Sequence, residues 1–150
     1  PSTYSTSSGK SDRSKERVKM DDGWFRKGEK FYDDIRRNFQ EVIKRYQEKH
    51  PDFVCQRHTD FRLNKYSYGG FMSRHVDNIH HSHGQEYGYP QVSALLFLND
   101  DYKGGQLKIS NTTYNTKKGS AIIFPSNFMF PHEVNLVTEG TRYSIVTWLM

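Results

Sequence analysis

The chain changes its hydrophobic rhythm at Pro51. Upstream, Phe31, Ile35, Phe39, Val42 and Tyr46 recur at steps of three and four residues, and Asp33, Arg36, Arg37, Glu41 and Lys44 fill much of the rest. This is one apolar stripe, and it predicts a single amphipathic helix over about residues 28–50, stopped by Pro51. Downstream, Val, Ile, Phe, Tyr and Thr dominate, and short apolar runs alternate with Gly, Asn and Asp. The pattern predicts strands over residues 53–57, 61–68, 74–77, 92–98, 105–109, 113–117, 120–124, 132–137 and 142–149. Turn signals stand at Gly69-Gly70, Asn99-Asp100-Asp101, Gly104-Gly105, Lys118-Gly119 and Glu139-Gly140. Many short strands at such spacing indicate a mostly β sandwich or barrel, here with one supporting helix at its N-terminal side.

Two segments lack this rhythm. Residues 1–20 are largely Ser, Thr, Lys, Arg and Asp, and cannot bury enough surface to order themselves. They predict a disordered basic arm ahead of a single domain over residues 21–150. Residues 78–90 have no period and hold His80, His81 and His83, which predicts a long loop of the kind that often closes over a site.

Composition narrows the class. At 150 residues the chain has room for one domain. No run approaches the ~20 apolar residues that span a bilayer, and no charged–apolar–small leader is seen. One cysteine excludes an internal disulfide framework and any Cys-rich metal site, so the expected setting is a reducing, cytoplasmic one. The net charge of +5 is uneven: residues 1–50 carry 13 Lys/Arg against 9 Asp/Glu, and the rest is nearly balanced. A basic arm of this kind either touches nucleic acid or another anionic surface, or is simply solvated. The sequence opens on Pro1 and stops at Trp148-Leu149-Met150, as a segment of a longer chain would.

The chemistry gathers in two strands. In His75-Val76-Asp77, alternation turns His75 and Asp77 to one face and Val76 to the other. An imidazole and a carboxylate so placed make two corners of a metal site, and a second histidine on a distant strand would complete the two-His, one-carboxylate face used by non-haem Fe(II) oxygenases. Alone, the spacing does not separate such a site from a chance pair. In residues 141–149, alternation puts Arg142, Ser144, Val146 and Trp148 on one face and Tyr143, Ile145, Thr147 and Leu149 on the other. If the first face points inward, the guanidinium needs a partner, and a bound carboxylate would supply it. If that face is an exposed edge, Arg142 lies in water.

With these residues in view, the segment from Tyr66 to Met150 resembles the 2-oxoglutarate/Fe(II)-dependent oxygenases, specifically their prolyl hydroxylase branch. Arg74-His75-Val76-Asp77-Asn78 is similar to the metal-binding strand of oxygen-sensing prolyl hydroxylases. Residues 96–107, Pro125-Ser126, His132 and residues 137–142 resemble bacterial and phage PKHD-type hydroxylases. The resemblance implies a double-stranded β-helix of jelly-roll or cupin-like kind. It implies Fe(II) on His75, Asp77 and His132, with Arg142 pairing the distal carboxylate of 2-oxoglutarate and Ser144 and Tyr66 assisting. Trp148 falls where the oxygen-sensing enzymes place a tryptophan beside the metal. Phe97 departs from the family, which has a co-substrate-contacting tyrosine there. The implied reaction consumes O2, turns 2-oxoglutarate into succinate and CO2, and hydroxylates a prolyl residue in a protein or peptide; it leaves room for L-ascorbate.

Rival readings stay open at this level. The same oxygenase chemistry can serve another side chain, a small molecule or a nucleobase. The fold can also be a non-catalytic module that binds a carboxylate or metal, or hold zinc for hydrolysis on the same three ligands. Cys55 with His58 suggests a nucleophile pair or plain packing. Phe124, Phe128 and Phe130 suit either a proline-rich ligand or the core, and Tyr68 and Arg74 lie where a substrate groove would run.

Overall fold

The computed structural model describes residues 17–78 and 88–150, together with two short strands near the start, β1 (Tyr4–Ser5) and β2 (Ser11–Asp12). Most of the expected arm and His80, His81 and His83 of the expected loop lie outside the described residues. The fold proper starts with β3 (Val18–Lys19) and β4 (Asp21–Phe25), then helix α1 (Tyr32–Lys49). Next come β5 (Phe61–Tyr66), β6 (Phe71–His75), β7 (Val92–Phe97), β8 (Lys103–Gly104), β9 (Leu107–Ile109) and β10 (Thr112–Tyr114). The chain ends with β11 (Ala121–Pro125), β12 (His132–Val134), β13 (Val137–Glu139) and β14 (Arg142–Leu149). Among the described residues, α1 is not long and apolar enough to cross a membrane, and neither is any other helix.

Two five-stranded antiparallel sheets carry the structure, in the orders β11-β7-β14-β5-β4 and β10-β9-β12-β6-β3. The arrangement is the expected double-stranded β-helix. It is not a closed barrel, because among the described residues no strand of one sheet pairs with a strand of the other. Alternation divides the buried residues into two cores. Leu95, Phe97, Val146 and Trp148 from the first sheet meet Met72, Leu107, Ile109 and Val134 from the second. On the outer face of the first sheet, Phe61, Ala94 and Ile145 meet Tyr32, Ile35 and Phe39 of α1. Phe39 stacks on Phe61 with ring centroids 5.3 Å apart.

Several boundaries differ from the sequence reading. The helix begins at Tyr32, not residue 28, because Phe31 takes a left-handed φ of 70° and is 55% exposed. Tyr32, absent from the expected stripe, takes the buried place instead. Residues 53–57 form no strand: Gln56 and Arg57 donate backbone hydrogen bonds to the Met150 carbonyl as an extended cover over the end of β14. Val18 and Met20, expected in the disordered arm, are buried, and Val18 pairs with Met72. Two apolar side chains in a polar stretch give no period to detect, so this edge strand was invisible to the pattern. The span 132–137 splits into β12 and β13, and the loop residue Pro90 is fully buried.

The tight ribbon of β8 and β13 needs glycine. Gly104 has φ 72°, and a Cβ there would sit 2.1 Å from the Leu136 carbonyl oxygen. The α1 contact gives a direct stability test. Phe39→Ala empties a fully buried site, and should cost about 3–5 kcal/mol in denaturant unfolding. A loss under about 1 kcal/mol would show that α1 is not part of the cooperative core.

Candidate functional site

Three side chains converge between the sheets at the end of β6. His132 on β12 pairs directly with His75 on β6, which sets the two imidazoles side by side with ring centroids 4.2 Å apart. The register slips between this pair and the Val134–Met72 pair, a bulge that re-aims the end of β6. The strand stops at His75, so Asp77 does not share its face by alternation as expected; it reaches the same point from the bend just beyond. Its carboxylate lies between the rings, with Oδ1 3.2 Å from His75 Nε2 and Oδ2 3.4 Å from His132 Nε2. The three ligand atoms all fall within 4.8 Å of one another.

Each ligand is held from behind. His75 Nδ1 donates to the Ser73 carbonyl at 2.8 Å and His132 Nδ1 to the Phe130 carbonyl at 3.3 Å, which turns both Nε2 atoms toward Asp77. Asp77 Oδ2 accepts from Ser93 Oγ at 2.6 Å and from Trp148 Nε1 at 2.9 Å. Ser93 Oγ in turn lies 2.8 Å from Ser126 Oγ, and both serines are fully buried. Oδ2 thus accepts from Ser93 and Trp148 and lies beside His132, while Oδ1 faces His75. Burial alone would raise the Asp77 pKa, but the charge of His132 and hydrogen bonds from both imidazoles outweigh it and hold the carboxyl well below its usual range. For His132, burial favours the neutral ring and the Asp77 charge overrides it, so its pKa is raised. The carboxylate is thus ionised and answered by imidazole charge, a place that a bound cation can take. Two imidazole nitrogens and one carboxylate oxygen can hold a metal with coordination positions left open.

A second feature faces the same interior from the opposite sheet. Arg142 opens β14, the middle strand of its sheet, and is 1% exposed, which removes the edge reading. Asn99 brackets its backbone, donating to the Thr141 carbonyl and accepting from the Tyr143 N–H. Gly105 lets its stem pass, since a Cβ there would lie 3.1 Å from Arg142 Cδ. The guanidinium rests against the rings of Tyr66 and Phe97 and donates from Nη1 to Ser144 Oγ at 3.2 Å. Its Nε and Nη2 are buried with no hydrogen-bond partner among the described residues. Two unpaired donor nitrogens on a buried cation cost on the order of 1–3 kcal/mol each, so the arrangement is unfavourable until a carboxylate arrives. The site therefore fits an anionic co-ligand as well as a metal. Burial raises the Tyr66 pKa, opposed by the Arg142 and Arg62 charges, so its hydroxyl stays protonated beside Arg142.

Other candidates fall elsewhere. Phe124 is buried edge-on to His132, Phe130 is half-buried against the core, and Phe128 is 81% exposed. Cys55 donates to the Arg57 carbonyl and burial raises its thiol pKa, while the His58 ring stacks on Phe61; the packing reading fits this pair. Tyr68 is exposed and Arg74 donates to the Ser110 carbonyl. Sequence reasoning missed Ser93, Ser126, Arg62 and Asn64. Ser93 was detectable as a lone hydroxyl inside the apolar run Val92–Phe97, where burial demands a partner.

Comparison with known proteins agrees with this geometry. The family model of the 2OG-Fe(II) oxygenase superfamily matches residues 61–150. The chain is 40% identical over 93 residues to a PKHD-type hydroxylase of Rippkaea orientalis, covering 58% of this chain and 40% of that protein. It is 32% identical over 127 residues to a PKHD-type hydroxylase of Stenotrophomonas maltophilia, covering 77% and 55%. It thus spans about half the length of the curated relatives it matches, or less. In three dimensions it is similar to a prolyl hydroxylase of Trichoplax adhaerens in complex with a hypoxia inducible factor peptide fragment (TM-score 0.78, 20% identity, 99% of this chain and 70% of that one). It is also similar to a Pseudomonas putida prolyl-4-hydroxylase (TM-score 0.72, 20% identity, 90% and 73%). At such identities the structural likeness is one of fold.

The hydrogen bond from Ser93 yields a test. Ser93→Ala removes one of the two donors that fix Asp77 Oδ2, and should weaken Co(II) binding about 10- to 100-fold in a spectroscopic titration while the protein stays folded. Unchanged Co(II) affinity would show that Ser93 does not orient the carboxylate.

Proposed function

The chain belongs to the 2OG-Fe(II) oxygenase superfamily, and from that premise we propose that it hydroxylates a prolyl residue in a protein or peptide. The family implies Fe(II), 2-oxoglutarate and O2. One observation carries the assignment to these residues. A buried arginine with two orphaned donor nitrogens faces, from the opposite sheet, the interior that holds the His-Asp-His cluster. A dicarboxylate that chelates a metal at one end needs a cation at the other. The prolyl part is supported by the PKHD-type relatives and by the likeness to prolyl hydroxylases, one of them bound to a peptide.

In this reading each residue has a defined task. His75 and His132 offer Nε2 to the metal, their tautomers set by the carbonyls of Ser73 and Phe130. Asp77 offers Oδ1, since Oδ2 is engaged by Ser93 and Trp148. Arg142 takes the distal carboxylate of 2-oxoglutarate through Nε and Nη2. Ser144, which accepts from Arg142, keeps its own O–H to donate to the same group. The rings of Tyr66 and Phe97 hold the guanidinium flat and exclude water from that end. When bound, Fe(II) and 2-oxoglutarate supply the oxidising chemistry, with O2 consumed, succinate and CO2 released and a substrate C–H converted to C–OH. The protein positions and shields; it contributes no redox group of its own.

Incubation with Fe(II), 2-oxoglutarate, O2 and a set of proline-containing peptides tests this. Succinate should form together with peptides that gain one oxygen, His132→Ala should abolish both, and Arg142→Ala should raise the KM for 2-oxoglutarate about 10- to 100-fold. Succinate formation that stays uncoupled from hydroxylation of every proline peptide would remove the prolyl substrate and leave the oxygenase chemistry.

A further inference from the structure

Arg62 is a charged residue for which neither the core nor the tasks above account. On β5 it stands two positions before Asn64 and four before Tyr66, so it faces the space between the sheets along with them. Its Nε donates to Asn64 Oδ1 at 2.9 Å, and Asn64 is itself buried opposite Ser144 of β14. The guanidinium lies over the indole of Trp148, with Cζ 4.8 Å from the ring centre. That indole is fully buried and donates from Nε1 to Asp77 Oδ2. A continuous line of fixed groups therefore runs from Asn64 through Arg62 and Trp148 to the carboxylate of the metal cluster.

The line has a physical consequence. Trp148 has two torsions of its own, and its N–H serves Asp77 only while the ring holds one orientation. Asn64 fixes the plane of the guanidinium, and the guanidinium covers one face of the indole, where the ring's negative quadrupole attracts it. The indole N–H then holds Oδ2, which lies 3.4 Å from His132 Nε2, while Oδ1 lies 3.2 Å from His75 Nε2. We infer that Arg62 is a positioning residue for the metal site: it locks the Trp148 indole so that Asp77 presents a single oxygen to the metal. This rests on the reading of His75, Asp77 and His132 as metal ligands.

Co(II) titration of the full chain, read by its visible d–d absorption, tests the inference without turnover. Arg62→Ala should weaken Co(II) binding about 2- to 30-fold, the range that a cation–π contact of this kind is worth. Its spectrum should change shape as Asp77 gains freedom. Arg62→Lys, which keeps a cation over the ring, should recover most of the affinity, whereas Arg62→Met, which keeps only the bulk, should not. In a Trp148→Phe background, where the indole N–H is gone, Arg62→Ala should have no further effect. Wild-type affinity and spectrum in Arg62→Ala and Arg62→Met would overturn the proposal, as would an equal loss with and without the Trp148 N–H. Failure of the wild type to bind Co(II) would instead overturn the metal reading itself, and Arg62→Met serves in place of Arg62→Ala should the smaller side chain leave the protein unfolded.

Discussion

A carboxylate held out of water needs its charge answered from every side, and Asp77 imposes that need on both sheets at once. The imidazoles beside it come from β6 and β12 in one sheet; the hydroxyl and indole that hold Oδ2 come from β7 and β14 in the other. A sandwich optimised for stability would fill this space with apolar side chains, because replacing buried ionic groups by hydrophobic ones is often neutral or favourable. Here the interior instead carries Asp77, His132, Ser93, Ser126, Arg142 and Ser144, all buried. The two sheets are consequently not interchangeable layers. One presents the cluster, and the other presents the groups that orient it, with Arg142 at its far end.

The pattern of unmet bonding fits the proposed use of the interior. Asp77 is over-supplied with partners, whereas Arg142 is under-supplied, retaining two donor nitrogens without acceptors among the described residues. The first arrangement is stable as it stands and accepts a cation in place of protons. The second is stable only when an anion enters. A ligand that is chelating at one end and carboxylate at the other answers both, which is why the family assignment and the local electrostatics point the same way. The outer face of the first sheet, sealed by Phe39 and Tyr32 of α1, supplies the rigidity that lets the inner face carry such groups.

Much of this was legible in the sequence. Alternation along residues 142–149 placed Arg142, Ser144, Val146 and Trp148 together because β14 is a central strand with a different core on each side, so every residue has a fixed address. The same logic failed at Asp77, which lies beyond the end of β6, where the chain bends and period two no longer applies. It failed at the helix start because a left-handed Phe31 leaves no trace in hydrophobic spacing. Arg62 and Asn64 were unreadable for another reason: polar residues at alternate strand positions look like a solvated face unless the opposite sheet is known to cover them. Many short strands left sandwich and barrel both open, since strand count does not determine whether edges meet, and the structure has two facing sheets.

The most direct test of the account is the anaerobic absorbance spectrum of the protein loaded with Fe(II), recorded as 2-oxoglutarate is added. A visible charge-transfer band that saturates with 2-oxoglutarate is expected, because the metal on His75, Asp77 and His132 and the guanidinium of Arg142 would hold opposite ends of one ligand. Fe(II) shown to be bound, with no band at any 2-oxoglutarate concentration, would contradict it.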